Sequence, residues 1–325
     1  MKRFKVLAKA SGVLAAVLLL AGTAQAGKFS LNNQLSAGSW LEKSGIQIAP
    51  LYLSKSNTSI SYLSLDEATK SGLINVMETS DVNELLVENK GKKYILLLAG
   101  EVVSGGKQDR MVGKDLILGP GKIRRINIFC IEHGRWTSGA EKTEFKSSSV
   151  MADNEIRQKA QKEGGSEANQ SGVWDEVAKS LDAYQAASPT GNYQAILKSE
   201  KFQDSDAIVK YFLDKFEDDD DIAGFALAYN GEVQSLEYFA NPGLASRYQE
   251  KLIRSYVTSA LKNLQESKPI SLTALKDFIN QSLADDTHQY KSDDEIVIES
   301  RSGSLESFEL QTPKGVLVHY ARYQK

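Results

Sequence analysis

The residues best suited to chemistry lie in two short stretches between Gly100 and Trp136. Acids, a glutamine, arginines and an aromatic ring stand there at the margins of apolar runs that read as strands. Side chains at the ends of strands project from a rigid support, which favours a binding site. The candidate ligand-binding residues are Glu101, Gln108, Arg110, Glu132, Arg135 and Trp136.

The charged members of this set allow three interpretations. Arg110 and Arg135 could clamp a phosphate or carboxylate, because each guanidinium offers two parallel donors. They could instead pair with Glu101 and Glu132 in a buried network that joins neighbouring strands. Thirdly, the two acids could act as acid and base in glycosidic cleavage, which requires a particular separation of the carboxyl groups. The sequence does not give that separation, so it leaves open whether the protein is an enzyme.

The remaining reactive side chains have simpler interpretations. Trp136 could stack on a base or sugar ring, although a Trp that ends a strand more often closes a core. Cys130 lies among apolar residues, which suits packing better than nucleophilic catalysis. His133, His288 and His319 are scattered, without the short ligand spacing of a zinc site. Neither a metal nor another cofactor is therefore expected.

Two segments resemble ligand loops only superficially. In a phosphate-binding loop, Gly would stand at the position of Glu101, and Ser or Thr at that of Gln108. The five acids from Glu217 to Asp221 lack the alternating ligands and the Gly of a calcium loop. This acidic run is expected to be a solvated connection.

The motifs around the candidate residues resemble those of a known family, the ARG and Rhodanese-Phosphatase-superfamily-associated Protein domain, over most of the chain. The resemblance implies a link, through neighbouring genes, to NAD and ADP-ribose metabolism, but it implies no reaction. The family commonly has Asn where this chain has Asp109, and an ionised Asp cannot donate a hydrogen bond. The resembling pieces are Gly100-Glu101, Gly106-Lys107-Gln108-Asp109-Arg110, the run from Cys130 to Trp136, Val173-Trp174 and the segment from Gly224 to Tyr256.

The first 26 residues are typical of a secretory signal peptide. They combine a basic start, an apolar run from Gly12 to Ala21, and the small-residue site Ala24-Gln25-Ala26. The mature chain is therefore expected to be exported, to the periplasm or the medium. No later apolar run approaches the roughly 18 to 20 residues of a membrane span. Because Cys130 is the only cysteine, an internal disulfide framework is excluded.

Charge narrows the class of partner. Removing the four basic residues of the leader from 39 Lys and Arg, against 42 Asp and Glu, leaves a net charge of −7. That sign argues against nucleic-acid binding. The partners that remain are a small phosphorylated ligand and a protein of the cell envelope.

The elements that position the candidate residues change in character along the chain. Short apolar runs before Trp136 predict strands, and Asn89-Lys90-Gly91 predicts a hairpin turn between the second and the third. Later, helical spacing predicts helices around 154–162, 173–181 and 208–216, the last with Ser205 as its N-cap. The predicted early strands cover 45–53, 84–88, 94–99, 115–118 and 126–131.

Asn230-Gly231 is the strongest hairpin signal, flanked by predicted strands at 222–229 and 232–239. Asn241-Pro242 predicts the start of a long helix, because Asn caps free amides and Pro fits the first turn. A shorter helix is predicted at 271–283, and three strands at 295–299, 305–310 and 316–321.

This order predicts an α+β fold with an antiparallel β-rich N-terminal half, central helices, a β-hairpin plus long helix, and a C-terminal antiparallel meander. We expect a β-rich region at 27–140 that carries the motifs, and a helical and α+β region at 141–325, packed together as one family domain. The first hypothesis is an exported domain that binds, or also processes, a phosphorylated nucleotide-like or sugar-phosphate ligand. The alternative is a non-catalytic envelope interaction or structural module.

Overall fold

A computed structural model describes residues 28–134, 144–283 and 285–325. The strands are β1 (Phe29–Ser30), β2 (Leu35–Ala37), β3 (Leu41–Lys43), β4 (Ile46–Leu53), β5 (Tyr62–Leu63), β6 (Ile74–Glu78), β7 (Glu84–Asn89), β8 (Tyr94–Leu97), β9 (Glu101–Ser104), β10 (Arg110–Val112), β11 (Leu116–Leu118), β12 (Ile123–Cys130), β13 (Lys146–Met151), β14 (Gly224–Tyr229), β15 (Glu232–Phe239), β16 (Asp286–Lys291), β17 (Ile296–Ser302), β18 (Leu305–Gln311) and β19 (Leu317–Gln324). The helices are α1 (Leu65–Lys70), α2 (Asn154–Gly165), α3 (Gln170–Ala183), α4 (Glu200–Phe216), α5 (Pro242–Asn263) and α6 (Leu272–Asn280), and short 3-10 helices cover Glu167–Asn169 and Tyr193–Lys198.

The strands form three sheets. The largest has the order β1-β2-β4-β14-β15-β19-β18-β17-β16, with β3 beside β4, so it joins early strands to late ones. A second sheet has the order β13-β9-β10-β12-β7-β6, and a third has the order β11-β8-β5. Pairing is antiparallel except between β5 and β8. The structure confirms a mixed α+β fold that ends in an antiparallel meander of β17, β18 and β19.

Turn and capping residues explain the hairpin and long helix. Asn230 and Gly231 have φ values of 55° and 78°, the positive values that a two-residue hairpin turn requires. They join β14 to β15, where Tyr229 pairs with Glu232. At the start of α5, the Asn241 side chain accepts a hydrogen bond from the Leu244 amide, with proline in the first turn. Both sequence predictions are confirmed.

Helices cover both faces of the largest sheet. On one face α5 packs Tyr256 against Phe225 of β14. On the other, α6 packs Phe278 in a cluster with Leu236 of β15. Successive side chains of a strand point to opposite faces, so burial of both faces explains why β14 is apolar along its whole length.

The second sheet is covered by α2 and α3. Ile156 of α2 and Val173 and Val177 of α3 form one buried cluster with Met111 of β10 and Phe129 of β12. This packing fixes β10 and β12 from one side, so the side chains at the ends of these strands stand on a rigid base.

Two predictions of local structure were wrong. The turn at Asn89 does not make a hairpin, because β7 pairs with β6 and β12 whereas β8 pairs with β11 and β5. Helix α4 begins at Glu200 with Ser199 as its N-cap, and Ser205 instead donates to the Phe202 carbonyl inside the helix. Nine strands of two to six residues were not predicted, namely β1, β2, β3, β5, β6, β9, β10, β13 and β16.

Along the described residues, no helix combines the length and the apolar composition that crossing a bilayer would require.

Candidate functional site

Antiparallel pairing of β10 with β12 brings the two motif stretches together. Arg110 lies opposite Cys130 in this register, so Gln108 and Glu132 meet just beyond the strand ends. The Gln108 side-chain amide donates to the Glu132 carbonyl at 2.9 Å, and the Asp109 backbone amide donates to the Glu132 carboxylate at 3.3 Å. Three of the candidate residues therefore converge.

A loop supplied by a distant part of the chain completes this group. Thr190 donates to the Glu132 carboxylate at 2.8 Å, and Asn192 forms a β-bridge with Glu132. Both loop residues are partly buried and lie at the surface side of the group. We use the name Arg110 cluster for the set Gln108, Asp109, Arg110, Glu132, Thr190, Asn192 and Gln194.

The guanidinium of Arg110 is buried and mostly without partners. The residue is 0% exposed, and its Nη1 donates to the Gln108 side-chain oxygen at 2.8 Å. Its Nε and Nη2 are buried and have no hydrogen-bond partner among the residues that the structure describes. The hydrogen bonds in the described part of the chain join Arg110 to neither Glu101 nor Glu132. Buried donors without partners cost about 1–3 kcal/mol each, so two oxygens at this edge would stabilise the guanidinium.

Asp109 acts as a hydrogen-bond acceptor. Its carboxylate accepts from the Gly105 amide at 3.2 Å, from Asn192 Nδ2 at 2.9 Å and from Gln194 Nε2 at 2.6 Å. These donors approach both carboxylate oxygens. The family resemblance implies Asn at this position. The Asp of this chain is an acceptor, and the side-chain amides of Asn192 and Gln194 supply donors to it.

We expect Asp109→Asn to lower the free energy of unfolding by about 1–3 kcal/mol, because the new amide group must face at least one of these donors. Urea denaturation of the variant checks this. Asp175→Asn, on the exposed face of α3, is the matched control and should leave stability unchanged. Equal stability of Asp109→Asn and wild type would contradict the acceptor role.

Glu101 lies in a different network. It is 0% exposed and accepts from Lys251 Nζ at 3.1 Å and from the Leu98 amide at 2.9 Å. Lys251 also donates to Asp66 at 2.7 Å. Burial raises the pKa of Glu101, and the neighbouring Lys251 ammonium opposes this rise. Lys251 of α5 thus links Glu101 of β9 to Asp66 of α1.

The separation of Glu101 from Glu132 does not suit a pair of catalytic acids. Met111 pairs with Val102, so Glu101 stands opposite Val112. Arg110 pairs with Cys130, so Glu132 stands opposite Gln108, which precedes Val112 by four residues. At about 3.3 Å per residue, the two acids are attached roughly 13 Å apart along the sheet. Glycosidic cleavage uses carboxyl groups about 5–9.5 Å apart. Their hydrogen-bond partners are also different, so they form no dyad.

The structure explains why two positions of the motifs, Gly100 and Gly106, require glycine. Gly100 has a φ of +91°, and a Cβ there would lie 2.3 Å from Cγ of the buried Arg157. Gly106 has a φ of +53°, and its Cβ would lie 2.3 Å from the Phe145 ring. Side chains are excluded at both positions by backbone conformation and by space.

Arg135 and Trp136 lie outside the described residues. In the same motif, the His133 ring lies edge-on to that of Trp174, with centroids 4.4 Å apart. Cys130 is buried among its neighbours, and burial raises the pKa of its thiol. This setting disfavours a thiolate nucleophile.

The sequence analysis missed five residues of these networks: Asp66, Lys251, Thr190, Asn192 and Gln194. Lys251 follows Tyr248 by three residues and thus falls on the buried stripe of α5, which was a readable signal. The loop residues carried no signal, because they approach Glu132 and Asp109 from 58 to 85 residues away. Within the ranges that the structure covers, no group of three or more His, Cys, Asp or Glu could hold a metal ion.

Comparison with known proteins identifies the family. Neither the curated proteins nor the solved structures gave a match. A family model described as the ARG and Rhodanese-Phosphatase-superfamily-associated Protein domain matches residues 34–323. This match covers nearly the whole chain and includes both networks described above. The chain therefore belongs to the ARG and Rhodanese-Phosphatase-superfamily-associated Protein domain family.

Proposed function

We propose that this chain is an exported domain that binds a phosphorylated, nucleotide-like or sugar-phosphate ligand at the Arg110 cluster. The observation that carries the proposal is the buried Arg110 guanidinium, whose Nε and Nη2 have no hydrogen-bond partner in the described part of the chain. Arg135 and Trp136 follow Glu132 by three and four residues, and we include them in the proposed site as a second cation and a stacking ring.

The geometry of the unpartnered edge favours phosphate or carboxylate. Nε and Nη2 lie on the same side of a guanidinium and donate in parallel, so they match two oxygens of one anion. The acids nearby do not fill this role. Asp109 accepts from amides of Asn192 and Gln194, and Glu132 accepts from Thr190 and the Asp109 amide.

The family name supports the choice among anions. It associates this domain with ARG proteins and the rhodanese-phosphatase superfamily, a context in which ADP-ribose and related phosphates are reasonable ligands. ADP-ribose combines a base, sugars and phosphates, so it would use a guanidinium and an aromatic ring together.

Calorimetry should detect binding of ADP-ribose, ribose 5-phosphate or inorganic phosphate to the wild type. Arg110→Met should abolish that heat. The same substitution should not lower the free energy of unfolding, and could raise it by about 1–3 kcal/mol, because it removes buried donors without partners. Urea denaturation gives the second readout.

Arg124→Met is the control, because Arg124 donates twice to Glu295 at 2.6 Å. It should lower stability and keep the ligand heat. If Arg110→Met destabilised the protein as Arg124→Met does and kept the heat, Arg110 would be a structural residue. No heat from any of the three ligands with wild type would refute the proposal.

A second candidate function is the non-catalytic envelope module. The buried link of Glu101 to Lys251 favours it, because part of the motif set is thereby structural. Purified wild type should then retain a protein from detergent-treated envelope fractions, and Arg110→Met should retain the same protein. Failure to retain one would count against this function.

A further inference from the structure

A tyrosine-lined cavity lies away from the Arg110 cluster and shares no residue with it. It has a volume of about 380 Å³, within the usual range for small-molecule sites. Four segments meet there: the chain that leads from β4 into β5, the start of β8, the residue that follows β15, and the turn between β18 and β19 with the start of β19. Its lining residues are Asn57, Ser59, Ile60, Tyr62, Tyr94, Ala240, Thr312, Pro313, Lys314, Val316, Leu317 and Val318.

The walls are aromatic and aliphatic. Parallel pairing of β5 with β8 places Tyr62 opposite Tyr94, with ring centroids 6.0 Å apart at an angle of 53°. Val316 and Tyr94 are 37% and 38% exposed, and they are two of the four large exposed hydrophobic residues among those described. Two exposed apolar side chains at one cavity favour the binding of an apolar group of a ligand, because binding would remove them from water.

The polar groups of the cavity favour a negatively charged ligand. No acid belongs to the lining, whereas Lys314 does, and its ammonium forms no ion pair in the described structure. The Tyr62 hydroxyl forms no hydrogen bond with any described residue. Burial raises the pKa of Tyr62 to about 12, so this hydroxyl keeps its proton and can donate. A cation and a neutral donor beside apolar walls suit a ring with a negative substituent.

We propose that this cavity binds a planar aromatic ring that carries an anionic group, with the ring packed against the side chains of Tyr62, Tyr94 and Val316 and the anion at Lys314. The anion is a phosphate, as in a nucleotide, or a carboxylate, as in an aryl acid. This site is independent of the Arg110 cluster, and each can exist without the other.

Saturation-transfer NMR with two matched pairs of probes tests the proposal. AMP is compared with adenosine in the Arg110→Met variant, in which a phosphate cannot bind at the Arg110 cluster, and indole-3-acetate is compared with indole in wild type. Each anion should bind about tenfold more tightly than its neutral partner, and Lys314→Met should remove that difference. AMP favoured over indole-3-acetate would identify phosphate as the source of the anion, and the reverse would identify carboxylate. Lys70→Met, at an exposed lysine of α1, should change nothing.

Val316→Trp, combined with Arg110→Met where AMP and adenosine are measured, should fill the cavity mouth and abolish binding of all four probes. Ile123→Trp, at a residue of β12 that is 59% exposed, is the control for an added surface ring and should keep binding. Arg110→Met should also keep binding of indole-3-acetate, which separates this site from the proposed function. Absence of transfer to wild type, equal affinity for charged and neutral probes, or retained binding in Val316→Trp would each overturn the proposal.

Discussion

Replacement of Glu237 by Gln is expected to lower the free energy of unfolding by about 3–5 kcal/mol. Glu237 and Arg157 are both 0% exposed, and two parallel hydrogen bonds of 2.7 and 2.5 Å join them. Burial disfavours the charge on Glu237, but Arg157 and His319 outweigh it and hold the pKa of that carboxyl at about 2. Gln would leave the Arg157 charge buried without its counter-charge.

This pair connects separate layers of the fold, which is why its loss should affect the whole molecule. Arg157 lies on α2 and also donates to the Ala99 carbonyl at 3.0 Å, just before β9. Glu237 lies on β15 of the largest sheet. One guanidinium therefore links a helix to two sheets, and the Gly100 backbone leaves room for it.

Urea denaturation at neutral pH measures the effect. Glu232→Gln, at the exposed start of the same strand, is the matched control and should change stability by less than about 0.5 kcal/mol. The double variant Arg157→Met with Glu237→Leu should recover much of the loss, because it leaves no unpaired charge. Equal stabilities of Glu237→Gln and Glu232→Gln would contradict the role given to this pair.

Local sequence signals predicted the parts of the fold that local chemistry determines. The turn at Asn230-Gly231 and the cap at Asn241 depend on neighbours within a few residues, so the hairpin and α5 were readable. The turn residues at Asn89 were also a local signal, but the pairing of β7 and β8 with other strands depends on distant parts of the chain. The Asn89 side chain donates to the Lys93 carbonyl and to the Leu118 carbonyl. Leu118 is 29 residues away and lies in β11 of the third sheet, whereas Asn89 ends β7 of the second.

The same distinction applies to the candidate site. Gln108, Arg110 and Glu132 converge because two strands close in sequence pair in antiparallel register. Lys251, which donates to Glu101, is 150 residues away on α5, so the sequence pattern alone could not identify this partner. Ion pairs between distant segments depend on tertiary packing, which hydrophobic periodicity does not encode.

The second large effect is a loss of stability as the pH rises from about 6.5 through 9. His319 is 0% exposed, with Nδ1 2.6 Å from the Asp115 carboxylate and Nε2 3.4 Å from that of Glu237. Burial lowers the pKa of this imidazole, but the two carboxylates outweigh burial and raise it to about 9. The folded chain therefore keeps the proton to a higher pH than the unfolded chain, whose histidine titrates near 6.5.

The sign follows from this difference. The contribution of the imidazolium is fully present below pH 6.5 and is lost as the pH rises through 9. Its size should be on the order of 3 kcal/mol, since one pKa unit corresponds to about 1.4 kcal/mol. The pKa of Glu155 is raised to about 7, so this carboxyl is mostly ionised above pH 7.5. A change in stability between pH 7.5 and 9.5 can therefore be assigned to His319 and not to Glu155.

Urea denaturation across this pH range should show the decline in wild type and a much flatter profile in His319→Gln. Because Gln cannot carry the charge that faces Asp115 and Glu237, the variant should also be less stable at pH 7. If it does not fold, the imidazole Cε1 proton of wild type still reports the pKa by NMR. A midpoint near 6.5, with stability constant up to pH 9.5, would show that the carboxylates do not hold the proton on His319.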